Sequence, residues 1–476
     1  MATDARNQSP TASGLAEADN ASCLFPAELM EQIFTLCTEF PVQFPLRQRQ
    51  SPLNISQVCS YWRDVARQTK VLWSSIAYVP STRRDRAAHI QDLGTIFERS
   101  YPLPLEVVTG RLLEYPPRFD LRLAPDHEQS WPLNPVRDVV IPYHDRLRVL
   151  RLSLSDHHLR AFLSISSLRF GSLEVLEISS FTYLHPDGGV RVFRGLPELR
   201  AFKLYSSGCY SPSLLQAPWA QLKILHIHQA ILPSDALLIL GQTKTVEDCS
   251  FVLKHESSFP DPQVATVFPS IKKLTINLLM TTNIMQFSFL KGFSVPNVDD
   301  LTIAVRYWLG VPDEFLPKMK RLTRLSLFHV SSQPLPLVDL LKATPYLVAL
   351  TLQSPALDRA VLRILFDQSF TPHLQHVEFP ISDLESLCDV LSERVKGVKT
   401  MLKSIIVEFM TSNGLPQGQA GITLVPSIVQ RVFDSLGVEI SLWSDVDGTL
   451  TLWYGPGRER LGLDAAALLR EWHVLD

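Results

Sequence analysis

Glycine is scarce in this chain, with 20 in 476 residues, about 4% where ~7% is usual. A glycine-rich phosphate cradle is therefore not expected, and with 34 prolines the turns rest on proline instead. Cysteine is sparse and scattered: Cys23, Cys37, Cys59, Cys209, Cys249 and Cys388 include no C-x-x-C pair, which fits neither a disulfide framework nor a zinc site. The expected compartment is a reducing one, cytoplasm or nucleus. No charge of one sign dominates. With 45 basic against 48 acidic side chains, there is no electrostatic case for nucleic acid or for an anionic membrane as partner. No apolar run is long enough to span a bilayer, and residues 1–22 lack the basic start and apolar core of a signal peptide, so a disordered tail is expected there.

What is present is a repeat. The pattern apolar-x-x-apolar-x-apolar opens at Leu147, Leu173, Leu199, Leu222, Val246, Ile271, Val298, Leu322, Leu347, Leu374 and Leu402, with spacings from 23 to 28 residues. Pro197, Pro269, Pro296, Pro345 and Pro372 each stand two residues before an opening position. Proline ends a preceding helix and biases its neighbour toward extended backbone, so each predicts the start of a short strand. Helical stretches are expected between strands at 234–241, 336–343, 358–366 and 383–395. Strand, helix, then strand in the same sense predicts an α/β fold, a curved parallel sheet inside with helices outside. The array over 147–410 resembles the leucine-rich-repeat family. It departs at the ninth position, where the family's Asn or Cys is replaced by Ser155, Phe181, Ser207, Ala230 and Lys254, so irregular coils are expected. Upstream, 77–146 reads as a linker and N-terminal cap, with a helix at 84–98 that aligns Ile90, Leu93 and Phe97. A strand follows at PLPLEVV, and then a proline-rich irregular insertion over 111–142. Residues 411–476 read as a C-terminal cap.

Residues 23–76 differ in kind. LFPAELMEQIFTLC opens with Pro26 at a plausible first helical turn and sets Leu29, Ile33, Leu36 and Cys37 at helical spacing, with Met30 and Phe34 widening that face. After a loop, LNISQVCSYWRDVARQTKVLW brings Val58, Trp62 and Val65, with Ile55 one turn earlier, onto a second apolar face. Two short helices cannot bury so many large side chains alone, so the residual apolar area predicts docking to a partner or to the rest of the chain. The segment resembles the F-box, which opens Leu-Pro-x-Glu-Leu-x-x-x-Ile-Phe and closes Val-Cys-x-x-Trp, then Leu-Trp. Here those are Phe25, Pro26, Glu28, Leu29, Ile33 and Phe34, then Val58, Cys59 and Trp62, then Leu72 and Trp73. Phe25 replaces the usual leucine, although Leu24 precedes it, and the inter-helix loop is longer than the family minimum.

The resemblance implies a non-catalytic substrate-recognition subunit of an SCF-type ubiquitin ligase. Leu24, Phe25, Pro26, Leu29, Ile33, Leu53, Ile55, Val58, Trp62 and Trp73 would bind a Skp-type adaptor, and through it cullin and RING subunits. The repeats would hold a protein substrate destined for degradation. A repeat scaffold not coupled to ubiquitination is the alternative. Strand alternation turns Lys203, Tyr205, His226, His228, Lys273, Arg324 and Phe328 to the concave side as candidate substrate contacts. Charges on that side are balanced, Arg151, Lys203, Lys273 and Arg324 against Glu177, Asp248, Asp300, Glu378 and Glu408, which favours neither an acidic nor a basic target. No cofactor, metal site or catalytic residue is expected. His226 and His228 have zinc-compatible spacing but no identifiable third ligand. The run Asp445-Val-Asp447-Gly-Thr449 resembles the signature of haloacid-dehalogenase-type phosphatases, but too little chain follows for that fold, and a hairpin joined by an Asp-Gly turn is the expected reading.

Overall fold

The computed structural model describes residues 25–44, 46, 52–78, 86–109, 134–165, 168–180, 193, 196–206, 215–256, 265–281, 289–305, 315–329, 337–353, 359–365, 372–381, 390, 404–409, 439–444 and 452–454. The chain is α/β and divides into two compact units, Met1–Leu222 and Lys223–Asp476.

In the first unit, three helices precede most of the sheet: α1 (Ala27–Leu36), α2 (Leu53–Ser56) and α3 (Ser60–Gln68). The strands are β1 (Val42–Phe44), β2 (Ser75–Tyr78), β3 (Leu105–Thr109), β4 (Leu147–Leu154), β5 (Val175–Ser180) and β6 (Ala201–Ser206), paired in that order and parallel. Helix α4 (Arg86–Arg99) crosses between β2 and β3, and α5 (Asp156–Leu163) between β4 and β5. One feature of this unit departs from the sequence reading. The expected irregular insertion is helical from Pro135: a π-helical turn, Pro135–Val140, runs into Ile141–Tyr143. Asn134 caps it by accepting from the backbone N–H groups of Val136 and Arg137, and the Ile141 N–H reaches five residues back to Val136, just before Pro142, which has no N–H to give. Ser155, at the ninth position of its motif, does not tie neighbouring coils; its hydroxyl accepts from the His158 N–H and caps α5.

In the second unit, β7 (Ile224–Ile231), β8 (Asp248–Lys254), β10 (Lys273–Met280), β12 (Asp300–Val305), β13 (Arg324–His329), β14 (Ala349–Gln353), β15 (His376–Ile381), β16 (Ser404–Phe409) and β17 (Glu439–Ser444) are parallel neighbours in that order. Two shorter strands, β9 (Thr266–Val267) and β11 (Phe293–Ser294), pair with each other, and β18 (Leu452–Tyr454) is antiparallel to β17. Helices α6 (Pro233–Gln242), α7 (Leu337–Ala343) and α8 (Arg359–Leu365) lie in crossovers where the apolar periodicity predicts them. The helix expected at 383–395 lies outside the described residues apart from Val390.

Every one of the eleven motifs carries a strand, and in five the strand begins four residues after the marker proline, at Ala201, Lys273, Asp300, Ala349 and His376. The second motif residue repeats one backbone bond within each unit: Glu174 N–H to Arg148 O, Arg200 to Glu174, Lys272 to Glu247, Asp299 to Lys272, Thr323 to Asp299 and Val348 to Thr323, all 2.7–3.0 Å. Side-chain amides add a second tie between successive turns, Gln221 to the carbonyls of Leu196 and Leu199 and Asn297 to that of Pro269. In the second unit the register slips toward the far ends of strands, between Ile227 and Ala230 in β7 and between Asn277 and Met280 in β10. Those slips sit beside the motif's ninth position. The alternation is strict in β7, where Leu225, Ile227, Gln229 and Ile231 are buried and the residues between them are half-exposed.

Candidate functional site

At the helical end of the first unit, Pro26 is the N-cap of α1, not its first turn, and its carbonyl accepts from the N–H groups of Leu29 and Met30. Helix α1 has apolar residues on two sides. Met30 and Phe34 turn inward, with the Phe34 ring 5.2 Å from that of Trp62. Leu29, Ile33, Leu36 and Cys37 face out, and Leu36 is 86% exposed. Phe25, Phe40, Val58 and Val71 are exposed as well, extending the apolar surface of this segment.

The residues expected to bind an adaptor thus separate into a surface set and a supporting set. Phe25, Pro26, Leu29, Ile33 and Val58 are exposed, Leu53 and Trp62 are intermediate, and Leu24 lies outside the described residues. Ile55 and Trp73 are buried and can only hold the face, not form it. Trp73 donates its indole N–H to the Ala66 carbonyl at 2.8 Å and carries the Arg99 guanidinium over its ring at 4.7 Å. Burial, with Arg67 as a like-charged neighbour, lowers the Arg99 pKa from its ordinary value. The Tyr61 hydroxyl donates to the Phe25 carbonyl at 2.7 Å and ties α3 to the start of α1. Leu36 and Val71 belong to the surface set but not to the residues singled out from sequence. The spacing Leu29, Ile33, Leu36 already carried the signal for Leu36, whereas Val71, between Lys70 and Leu72, has no periodic signal.

The half-exposed sheet faces are the second candidate surface, and their charges pair along the strand register. In the first unit the Ser75 hydroxyl donates to Glu106 at 3.0 Å, and Arg151 lies between Glu106 at 3.4 Å and Glu177 at 3.7 Å. Lys203 stands in register with Glu177, and Tyr205 with Ser179; both are half-buried. In the second unit His226 Nε2 is 3.0 Å from Asp248, and its ring meets that of His228 edge to face at 5.8 Å. Lys273 is exposed, in register with Asp248 and Asp300. Arg324 pairs with Asp300 at 3.3 Å, and the Thr351 hydroxyl donates to Glu378 at 3.1 Å. Phe328 is half-buried between Ala304 and Gln353. Where such pairs form, they offset charge between neighbouring strands.

No protein-family model matches the chain, and comparison with curated proteins finds no relative. Among the described residues no three His, Cys, Asp or Glu side chains come together to hold a metal ion, and no helix is long and apolar enough to cross a membrane. Asp445 and Asp447 lie outside the described residues; the strands flanking them, β17 and β18, are antiparallel, as a hairpin requires.

Proposed function

We propose that this chain is a substrate-recognition subunit of an SCF-type ubiquitin ligase, made of an F-box followed by a leucine-rich-repeat solenoid. The observation that carries the reading is the outward face of α1, where Leu29, Ile33 and Leu36 stand exposed at helical spacing; Phe25 and Val58 of the same segment are exposed too. A soluble helix ordinarily turns such residues inward, and a contiguous apolar patch is characteristic of a surface that binds another protein. All of those positions except Leu36 belong to the motif by which the segment resembles an F-box. The adaptor in this reading is of the Skp type and brings cullin and RING subunits, so ubiquitin transfer takes place on other chains, in the cytoplasm or nucleus.

The half-exposed sheet face of each unit is a candidate substrate surface in the same reading. Its charges are paired along the register, so Tyr205 and Phe328 are the better anchors, because aromatic side chains dominate protein interfaces whereas exposed charges mainly influence association rate. The deciding experiment is capture of a purified Skp-type adaptor by the purified full chain. Retention at micromolar concentration supports the reading; a folded chain that retains none overturns it and leaves a repeat scaffold without ubiquitin coupling.

A further inference from the structure

The segment between α1 and α2 contains β1, and β1 belongs to the sheet. Val42 pairs with Ile76 and Phe44 with Tyr78, and both Val42 and Phe44 are buried. The Phe44 ring lies 6.1 Å from that of Tyr78 and 5.7 Å from that of His89 on α4, edge-on to the imidazole. Helix α1 ends with five residues intervening before β1: the Cys37 N–H donates to Ile33 O, and the Thr38 hydroxyl to Phe34 O. Helix α3 is held to the same sheet from its other end, since Trp73, bonded to Ala66, stands two residues before β2.

We propose that β1 is the positioning element of the α1 surface, so that the orientation of Leu29, Ile33 and Leu36 depends on pairing of a strand that does not itself belong to that surface. The physical reason is that α1 cannot hold itself. It is ten residues long, short of what an isolated helix needs in water, and it turns only Met30 and Phe34 into the core while its other large apolar residues face out. Its ordering must come from tertiary contacts, among them Trp62 and the Tyr61 tie at Phe25 on the α3 side and the anchored chain after Thr38 at its C-terminal end. The binding face is then continuous with the first strands of the sheet. By linkage, a ligand that orders α1 also protects β1.

That the ligand is a Skp-type adaptor rests on the function proposed above, so the test has an arm that needs no adaptor. In the full chain, Phe44→Ala and the milder Val42→Ala are compared with the parent by amide hydrogen exchange. Exchange over 27–36 is expected to accelerate by about tenfold or more in Phe44→Ala and by less in Val42→Ala, while β5 and β6 keep their protection. Faster exchange confined to 42–44 in both variants, with 27–36 unchanged, would overturn the proposal. In the second arm, adding adaptor to the parent is expected to slow exchange at 42–44 as well as at 27–36. Slowing at 27–36 alone would also overturn it. A parent that binds no adaptor refutes the ligase reading and leaves the first arm to decide the coupling.

Discussion

Ile33 and Phe34 are chain neighbours on α1 with opposite fates: Phe34 is 1% exposed, its ring against Trp62, whereas Ile33 is 37% exposed. One residue of helical rotation separates a core position from an exposed one, and the two can be probed independently.

Ile33→Glu is expected to leave the melting temperature within about 2 °C of the parent, because an exposed substitution away from special features changes little. It is expected to weaken adaptor binding by about 100-fold or more, since the charge would be buried unpaired at the interface at a cost of about 3 kcal/mol. Phe34→Ala should do the reverse in its first effect, destabilising the first unit by about 3–5 kcal/mol through loss of a large buried ring. Denaturant unfolding and titration calorimetry separate the two; equal stability losses would show that α1 is not oriented as described.

Acid should weaken the first unit through His158. Burial, and secondarily the neighbouring His157, lower its pKa below the ordinary value of 6.5, so the unfolded chain takes up the proton more readily than the folded one. The contribution is therefore full above about pH 6.5, is lost progressively as pH falls toward the depressed folded value, and changes no further below it. Melting curves from pH 7.5 to 5 should slope less in His158→Gln than in the parent. Parallel slopes would remove His158 from the account.

The sheet-face ion pairs should contribute little to stability. Arg324 pairs with Asp300 at 3.3 Å, but its side chain is more than half exposed. A double-mutant cycle with Arg324→Met and Asp300→Asn is expected to give a coupling of about 0.2–1 kcal/mol, falling further in 1 M salt. A coupling above about 2 kcal/mol would mean that this face is far drier than its exposure indicates.

The motif period, the prolines and the helices at 234–241, 336–343 and 358–366 were legible in the sequence, because strand and helix periodicity and the limits on proline are properties of the local backbone. The α/β class followed from their alternation. What tertiary structure alone decided begins with α1, where Leu29, Met30, Ile33, Phe34 and Leu36 cover so wide an arc that no helical wheel can choose the buried half. Trp62, distant in sequence, makes that choice. Strand β1 was equally hidden, since VQF between two prolines has no signal until Ile76 and Tyr78 supply a partner edge. The same holds for the helix that starts at Pro135, whose prolines read as breakers until the π-helical turn placed Pro142 where no N–H is required. Which charges neutralise one another was also undecided, because Arg324 and Asp300 meet only through register across neighbouring strands. Composition and period constrain each residue's local options, but burial and register are set by residues far away along the chain.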